Sequence, residues 1–215
     1  MNQQIKNKLD IFFGQYQPIK YKKKQLINEP GAKTEKVTYI KSGYVRLYTT
    51  SKDGEEFTLN TFDSVFYLSL INVLSSTKNN YFMEAITPVE LYEAPKEELI
   101  EFFNKEPGLM FELLVDVLDN FRNNLVNSQY LVQGTAYSKV ASVLMSLAND
   151  YGTKKEKKVT LNFATTHRVL ASLTGIARET TSLQILKLKD KGIIQTKGSH
   201  FVINDIEKLK KETVF

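Results

Sequence analysis

Apolar and polar positions change rhythm along this chain of 215 residues. From Ile19 to roughly Pro95, short β-prone runs alternate with turn residues. Val37 to Ile40 and Tyr44 to Thr49 flank Ser42-Gly43, Asp53-Gly54 separates the second run from Phe57 to Phe62, and Val89 to Tyr92 closes the series. An Asp-Gly pair between β-prone runs is a strong hairpin signal. Short antiparallel strands at near-regular spacing predict a small barrel or sandwich.

Beyond this the period becomes helical. Lys96 to about Phe103 reads as a short helix, and a long helical pattern starts after Pro107-Gly108. Within it Phe111, Leu114, Leu118, Phe121, Leu125, Ser128 and Val132 fall at alternating spacings of three and four, a heptad seam that predicts pairing with a second copy. The alternative is that the helix buries this face on its own domain, and Leu113 and Val117 add a second apolar strip that serves such packing. Gly134 and Thr135 read as a hinge, and the next helix, Tyr137 to about Asp150, places Val140, Ala141, Leu144 and Leu147 on one face.

The stretch from Ala164 to Ile203 predicts two short helices on a tight turn followed by a hairpin. Thr166 is an N-cap, with Val169, Leu170 and Leu173 on one helical face. Gly175 supplies the turn. A second helix begins near Ala177 or Arg178, with Ile185 and Leu188 toward the core, Arg178, Glu179, Thr181 and Ser182 pointing elsewhere, and Gly192 as its C′ residue. Ile193 to Thr196 and Phe201 to Ile203 then flank a basic tip of Lys197, Gly198, Ser199 and His200. This is the layout of a winged helix-turn-helix, which places one helix in the DNA major groove.

Charge follows the same division. Residues 136–215 carry 14 Lys+Arg against 7 Asp+Glu, whereas residues 1–135 carry 15 against 17, so the C-terminal part holds the positive field of a chain whose net charge is +5. A segregated basic module suits phosphate neutralisation, although the Lys-rich loop Lys154 to Lys158 can equally be a solvated surface. No cysteine is present, which excludes disulfides, thiol redox sensing and thiolate-held iron–sulfur clusters. No apolar run is long enough to span a bilayer, and MNQQIKNKLD lacks the apolar core of a signal peptide, so a cytosolic location without membrane attachment is expected. The two histidines, His167 and His200, both lie in the C-terminal part, leaving the β-rich part without the ligands of a haem sensor or a cupin-type metal enzyme. No Gly-rich phosphate loop, Ser-His-Asp arrangement or metal-spaced cluster appears either, and neither an enzyme nor a cofactor is expected.

The run Gly175-Ile-Ala-Arg-Glu-Thr-Thr-Ser, continuing to Leu188-Lys-Asp-Lys-Gly-Ile-Ile, resembles the recognition-helix signature of the Crp/Fnr family of bacterial transcription regulators. Gly31 to Tyr48, GAKTEKVTYIKSGYVRLY, is similar to the start of that family's β-roll, with Gly43 in its inter-strand turn. The resemblance implies an α+β chain: a β-roll (a double-stranded β-helix like that of cyclic-nucleotide-binding domains) over 1–107, a long dimerisation helix with hinge over 108–135, and a winged helix-turn-helix over 136–215. It implies a homodimer on a palindromic operator with half-sites roughly 34–36 Å apart, through Phe111, Leu114, Leu118, Phe121, Leu125 and Val132, and RNA polymerase as a partner of an activator.

Carried over by position, Arg178 and Glu179 match the family's first base readers: Arg donates to guanine O6 and N7, and Glu accepts from cytosine N4. Thr180 and the helix N-terminus are expected to hold phosphate, with Ser182 as a further contact and Thr166, His167, Lys197 and His200 as phosphate neighbours or solvent-exposed residues. At Leu183 the family commonly has another arginine; leucine offers only an apolar contact, for instance to a thymine methyl. Members that bind cyclic AMP grip its phosphate with an arginine beside a hydroxyl residue. The corresponding stretch here, Asp63 to Ala85, has no Arg and no Gly, and Asn79-Asn80 stand at that place, with Lys78 nearby as a point charge. Cyclic AMP is therefore not the expected effector. Phe66, Tyr67, Leu68, Tyr81 and Phe82 in this apolar stretch either line a pocket for a hydrophobic or neutral effector or fill the roll as core. A protein that binds an effector but has lost its operator remains the competing reading.

Overall fold

Apolar side chains turned inward from the short N-terminal strands set the architecture of that part. The computed structural model describes residues 3–32, 35–63 and 66–214, the side chains of Phe66, Tyr67, Leu68 and Asn127 excepted. The chain divides into two units, Met1–Thr50 with Leu59–Arg122, and Ser51–Thr58 with Asn123–Phe215.

The first unit begins with helix α1 (Gln3–Phe13), followed by strands β1 (Ile19–Tyr21), β2 (Leu26–Asn28), β3 (Lys36–Ser42), β4 (Val45–Thr50) and β5 (Glu56–Phe62), the last crossing the division. Helix α2 (Phe66–Ser75), strands β6 (Phe82–Ala85) and β7 (Val89–Pro95), helix α3 (Lys96–Lys105) and helix α4 (Pro107–Gln133), which also crosses the division after Arg122, complete it. The strands form two antiparallel sheets, β1-β7-β3 and β2-β6-β4-β5, which make an open β-roll. Ile40, Val45, Leu47, Met83, Val89 and Leu91 pack into one of its cores. The other joins Tyr39 and Val37 of β3 to Leu9 and Phe13 of α1, Val73 of α2, and Leu99, Leu109 and Leu113 of α3 and α4. Leu113 of the second apolar strip is thus buried, whereas the heptad residues Phe111, Leu114, Leu118, Phe121, Leu125 and Val132 are all exposed, from 51% for Leu114 to 81% for Val132.

Helix α1 is not signalled by the polar N-terminal sequence, yet Ile5, Leu9, Phe12 and Phe13 share a buried face and Asp10 accepts a hydrogen bond from the Tyr39 hydroxyl at 2.6 Å. The apolar stretch around Phe66 to Leu74, expected as pocket lining or core, folds as α2: Ser69 and Val73 are buried while Ile71 and Leu74 are exposed. Its residues therefore split between faces. Gly43 adopts φ +93, and a Cβ there would stand 2.2 Å from the Pro88 carbonyl oxygen, so the turn between β3 and β4 tolerates no side chain.

The second unit contains α5 (Ala136–Tyr151), the hairpin β8 (Gly152–Lys155) and β9 (Lys158–Leu161), α6 (His167–Thr174), α7 (Arg178–Asp190), the hairpin β10 (Ile194–Lys197) and β11 (His200–Ile203), and α8 (Ile206–Lys211). Lys154 to Lys158, expected as a loop, instead forms the two strand ends and the turn of the first hairpin, with Glu156 at φ 54. Val159 and Leu161 of β9 point inward, and β9 joins the second hairpin in one sheet, β10-β11-β9-β8. Helices α5, α6 and α7 pack on one another; Val140, Leu144, Leu170, Ile185 and Leu188 are fully buried. Among the described residues no helix is long and apolar enough to cross a membrane.

Replacing Gly43 by alanine forces both an unfavourable φ and a backbone overlap, and is expected to cost about 2 kcal/mol or more. Urea unfolding of the two proteins measures it, and an unchanged midpoint would contradict the assigned turn.

Candidate nucleic-acid interface

Local capping sets the geometry of the reading element. Thr166 caps α6, its hydroxyl accepting from the Val169 N–H at 3.2 Å. The helix stops at Gly175, in the left-handed conformation at φ 64, where the Ile176 N–H reaches back to the Ala171 carbonyl at 3.3 Å. Only a residue without Cβ takes this conformation cheaply. At the far end of α7 the Gly192 N–H donates to the Lys189 carbonyl at 2.8 Å and the Ile193 N–H to the Leu188 carbonyl at 3.1 Å, the paired bonds of a Schellman motif. Each element thus ends at a glycine with positive φ.

Helix α7 opens differently. Its N-cap, Ala177, offers no side-chain acceptor, so the first-turn N–H groups keep their positive end of the helix dipole unneutralised by a cap. Arg178 and Glu179 are exposed beside it, Thr180 is half-buried, and Leu183 is 57% exposed. Thr181, expected to point away from the core with these residues, is instead fully buried. It lies on the same face as Gln184, Ile185 and Leu188, and among the described residues its hydroxyl has no hydrogen-bond partner. The helical period explains the difference, since i, i+4 and i+7 share a face.

Ser182 and His167 meet across the two helices. His167 Nδ1 lies 2.8 Å from the Ser182 hydroxyl, and its ring stacks on Phe201 of β11 at a centroid distance of 6.2 Å. Burial, then Lys189 and Arg178, hold the imidazole below its ordinary value. Both residues named as DNA contacts are thereby engaged in fixing α6, α7 and the second hairpin together. In that hairpin Lys197 pairs with His200, so Gly198 (φ 60) and Ser199 make a two-residue turn. Lys197 is exposed and His200 half-buried, and Lys189 Nζ reaches Thr196 Oγ1 at 3.4 Å. Within this unit Arg168 is paired with Glu56 at 3.0 Å.

The β-roll holds a cavity of about 670 Å³ whose wall includes Lys36, Glu93, Asn72, Lys78, Asn80 and Tyr81, over a floor with Ile27, Leu47 and Met83. Charged and amide groups share this lining with apolar ones. Tyr81 lines the cavity, whereas Phe82 does not and stacks on Tyr48 at 5.0 Å; the side chains of Phe66, Tyr67 and Leu68 lie outside the described residues. Asn79 is buried with its amide committed: its Nδ2 donates to the carbonyls of Glu29 and Tyr81. Sequence reading missed Arg46, a buried guanidinium that pairs with Glu84 at 3.2 Å and lies over the Tyr48 ring at 4.2 Å. Arg46 and Glu84 are register partners on β4 and β6, a relation that separation along the chain conceals. Among the described residues, no group of three or more His, Cys, Asp or Glu is placed to hold a metal ion.

Because the unfolded chain binds the His167 proton more tightly than the folded one, stability is fully present above the ordinary value of 6.5 and is lost as pH falls through the depressed native one. Thermal unfolding between pH 7.5 and 5 is expected to show a steeper acid loss for the native protein than for His167→Gln. Parallel curves would contradict the placement of the imidazole.

Comparison with known proteins agrees with this geometry. The family model for the Crp-like helix-turn-helix domain matches residues 138–212, and that for the cyclic nucleotide-binding domain matches residues 18–106. The global nitrogen regulator of Nostoc sp. is 24% identical over 180 residues, covering 81% of this chain and 79% of that one. The CRP-like cAMP-activated global transcriptional regulator of Mycobacterium tuberculosis is 22% identical over 197 residues, covering 92% and 88%. Among solved structures, FixK2 from Bradyrhizobium japonicum superposes with a TM-score of 0.77 at 18% identity, covering 93% of this chain and 98% of that one. These relatives are transcription regulators, and the two matched domains stand in the same order as the β-roll and winged helix-turn-helix described above. The chain belongs to the Crp/Fnr family of DNA-binding transcription regulators.

Proposed function

We propose that the protein is a cytoplasmic homodimer that reads a palindromic operator with Arg178 and Glu179 and answers to a ligand other than cyclic AMP. The observation that carries the DNA-reading role is the start of α7: an arginine and a glutamate exposed at a helix N-terminus that lacks a side-chain cap, on a helix whose opposite face is buried. Arg178 donates to guanine, Glu179 accepts from cytosine, and the free N–H groups with Thr180 take phosphate. Thr166 and Lys197 flank this face as further phosphate contacts, with His200 beside the hairpin tip. His167 and Ser182 act by holding the reading helix in place.

The dimer rests on the exposed heptad seam of α4. Six large apolar side chains facing water on one helix form the kind of patch that marks an interface, and the spacing of three and four suits a second copy of the same helix. Two reading helices per molecule then match a palindrome. RNA polymerase is the further partner when the operator lies in an activating position.

The choice of effector follows from the roll. Asn79, at the place of the family's phosphate-gripping arginine, is committed to backbone carbonyls, and Arg46 is committed to Glu84. The cavity remains open to a small molecule recognised through amides and ammonium groups.

Selection of operators from a random DNA pool, followed by anisotropy titrations, tests the reading. Arg178→Ala is expected to lose about 1–3 kcal/mol at the selected site, and affinity should fall linearly with the logarithm of salt concentration; a flat salt response would point instead to an effector-binding protein without an operator. Leu118→Asp combined with Phe121→Asp should convert the dimer to monomer in sedimentation and weaken palindrome binding far more than half-site binding. Millimolar cyclic AMP should leave the melting temperature unchanged, whereas a rise would refute the assignment of the roll.

A further inference from the structure

Helix α7 carries apolar residues on two opposite faces, and only one of them serves the fold. Thr181, Gln184, Ile185 and Leu188 are buried. At about 3.6 residues per turn the opposite midline is a single column, Glu179, Leu183, Leu186 and Asp190. Leu183 is 57% and Leu186 51% exposed, and they are three positions apart, so their side chains are neighbours on the helix surface. Single exposed leucines are ordinary; two adjoining ones at the centre of a reading face are a surface with a partner.

Their surroundings identify it. Arg178 and Lys189 border the column on one side and Lys187 on the other, so the leucines sit inside a basic rim. The apolar centre of a protein–protein contact is depleted in lysine, whereas a basic rim suits a polyanion. Within the major groove the apolar feature is the 5-methyl group of thymine. The glutamate at the head of the column adds an acceptor for a cytosine amino group.

Resting on the DNA-reading role proposed above, we infer that Leu183 and Leu186 act together as an apolar strip that selects thymine by its methyl groups, making them specificity-determining residues of the operator contact. The half-site then holds thymines beside the position read by Glu179. The aspartate at the foot of the column repels phosphate there and keeps the strip over the bases.

The test uses the full-length protein and its selected operator. Replacing each thymine of the half-site by deoxyuridine removes only the methyl group. Native protein is expected to lose about fourfold in affinity per contacted methyl, the equivalent of about 0.8 kcal/mol. Leu183→Ser and Leu186→Ser should each lose discrimination at the methyl their leucine contacts, with the cost already present on the thymine site, and the double variant should bind thymine and deoxyuridine operators alike. Both residues are exposed, and circular dichroism with thermal unfolding verifies that each variant folds. Equal binding of both operators by the native protein, or operator affinity unaffected by either substitution, overturns the strip while leaving the DNA-reading role intact. Absence of any sequence-selective, salt-dependent binding overturns that role itself, and the strip with it.

Discussion

Everything that faces outward on α7 depends on what it buries. Ile185 and Leu188, fully enclosed against α5 and α6, fix the rotation of the helix about its own axis. Because the helical period is set by backbone geometry, that rotation determines which side chains reach a groove. A helix free to roll by one position would exchange Leu183 for Gln184 on the outward face and present an amide in place of an apolar side chain. The buried face therefore acts on recognition without touching DNA, and the His167 to Ser182 contact adds a polar lock to the apolar one.

The same economy governs the ends of the elements. Gly175 and Gly192 close α6 and α7 with backbone bonds of their own, which holds the turn and the start of the second hairpin without long side chains. That hairpin turns in two residues, so the basic Lys197 stands close to the sheet that carries it. Short turns and glycine caps leave few conformations to be ordered upon binding, and less entropy to be lost.

Much of this was legible in the sequence because its signals are local. An N-cap threonine and the glycines after α6 and α7 each need only a few consecutive residues, and the heptad seam repeats within a single helix. Thr181 was misplaced because a hydroxyl residue amid polar neighbours gives no sign of burial, and only the helical phase set by Ile185 and Leu188 reveals it. Helix α1 escaped because its apolar face packs against Tyr39 and α3, elements far along the chain. The apolar stretch of α2 has no clear period, so helix and core strand could not be told apart there. The commitments of Asn79 and Arg46 depend on cross-strand neighbours, which a linear reading cannot supply.

The alanine that precedes α7 has a wider meaning. A helix normally closes its own first turn with a serine, threonine or aspartate, and α6 does so with Thr166. Helix α7 lacks such a side-chain cap, and in the proposed complex a DNA phosphate accepting from its first-turn N–H groups takes that place. The helix is already formed without DNA, so under that proposal the operator completes the bonding of its first turn rather than creating the helix.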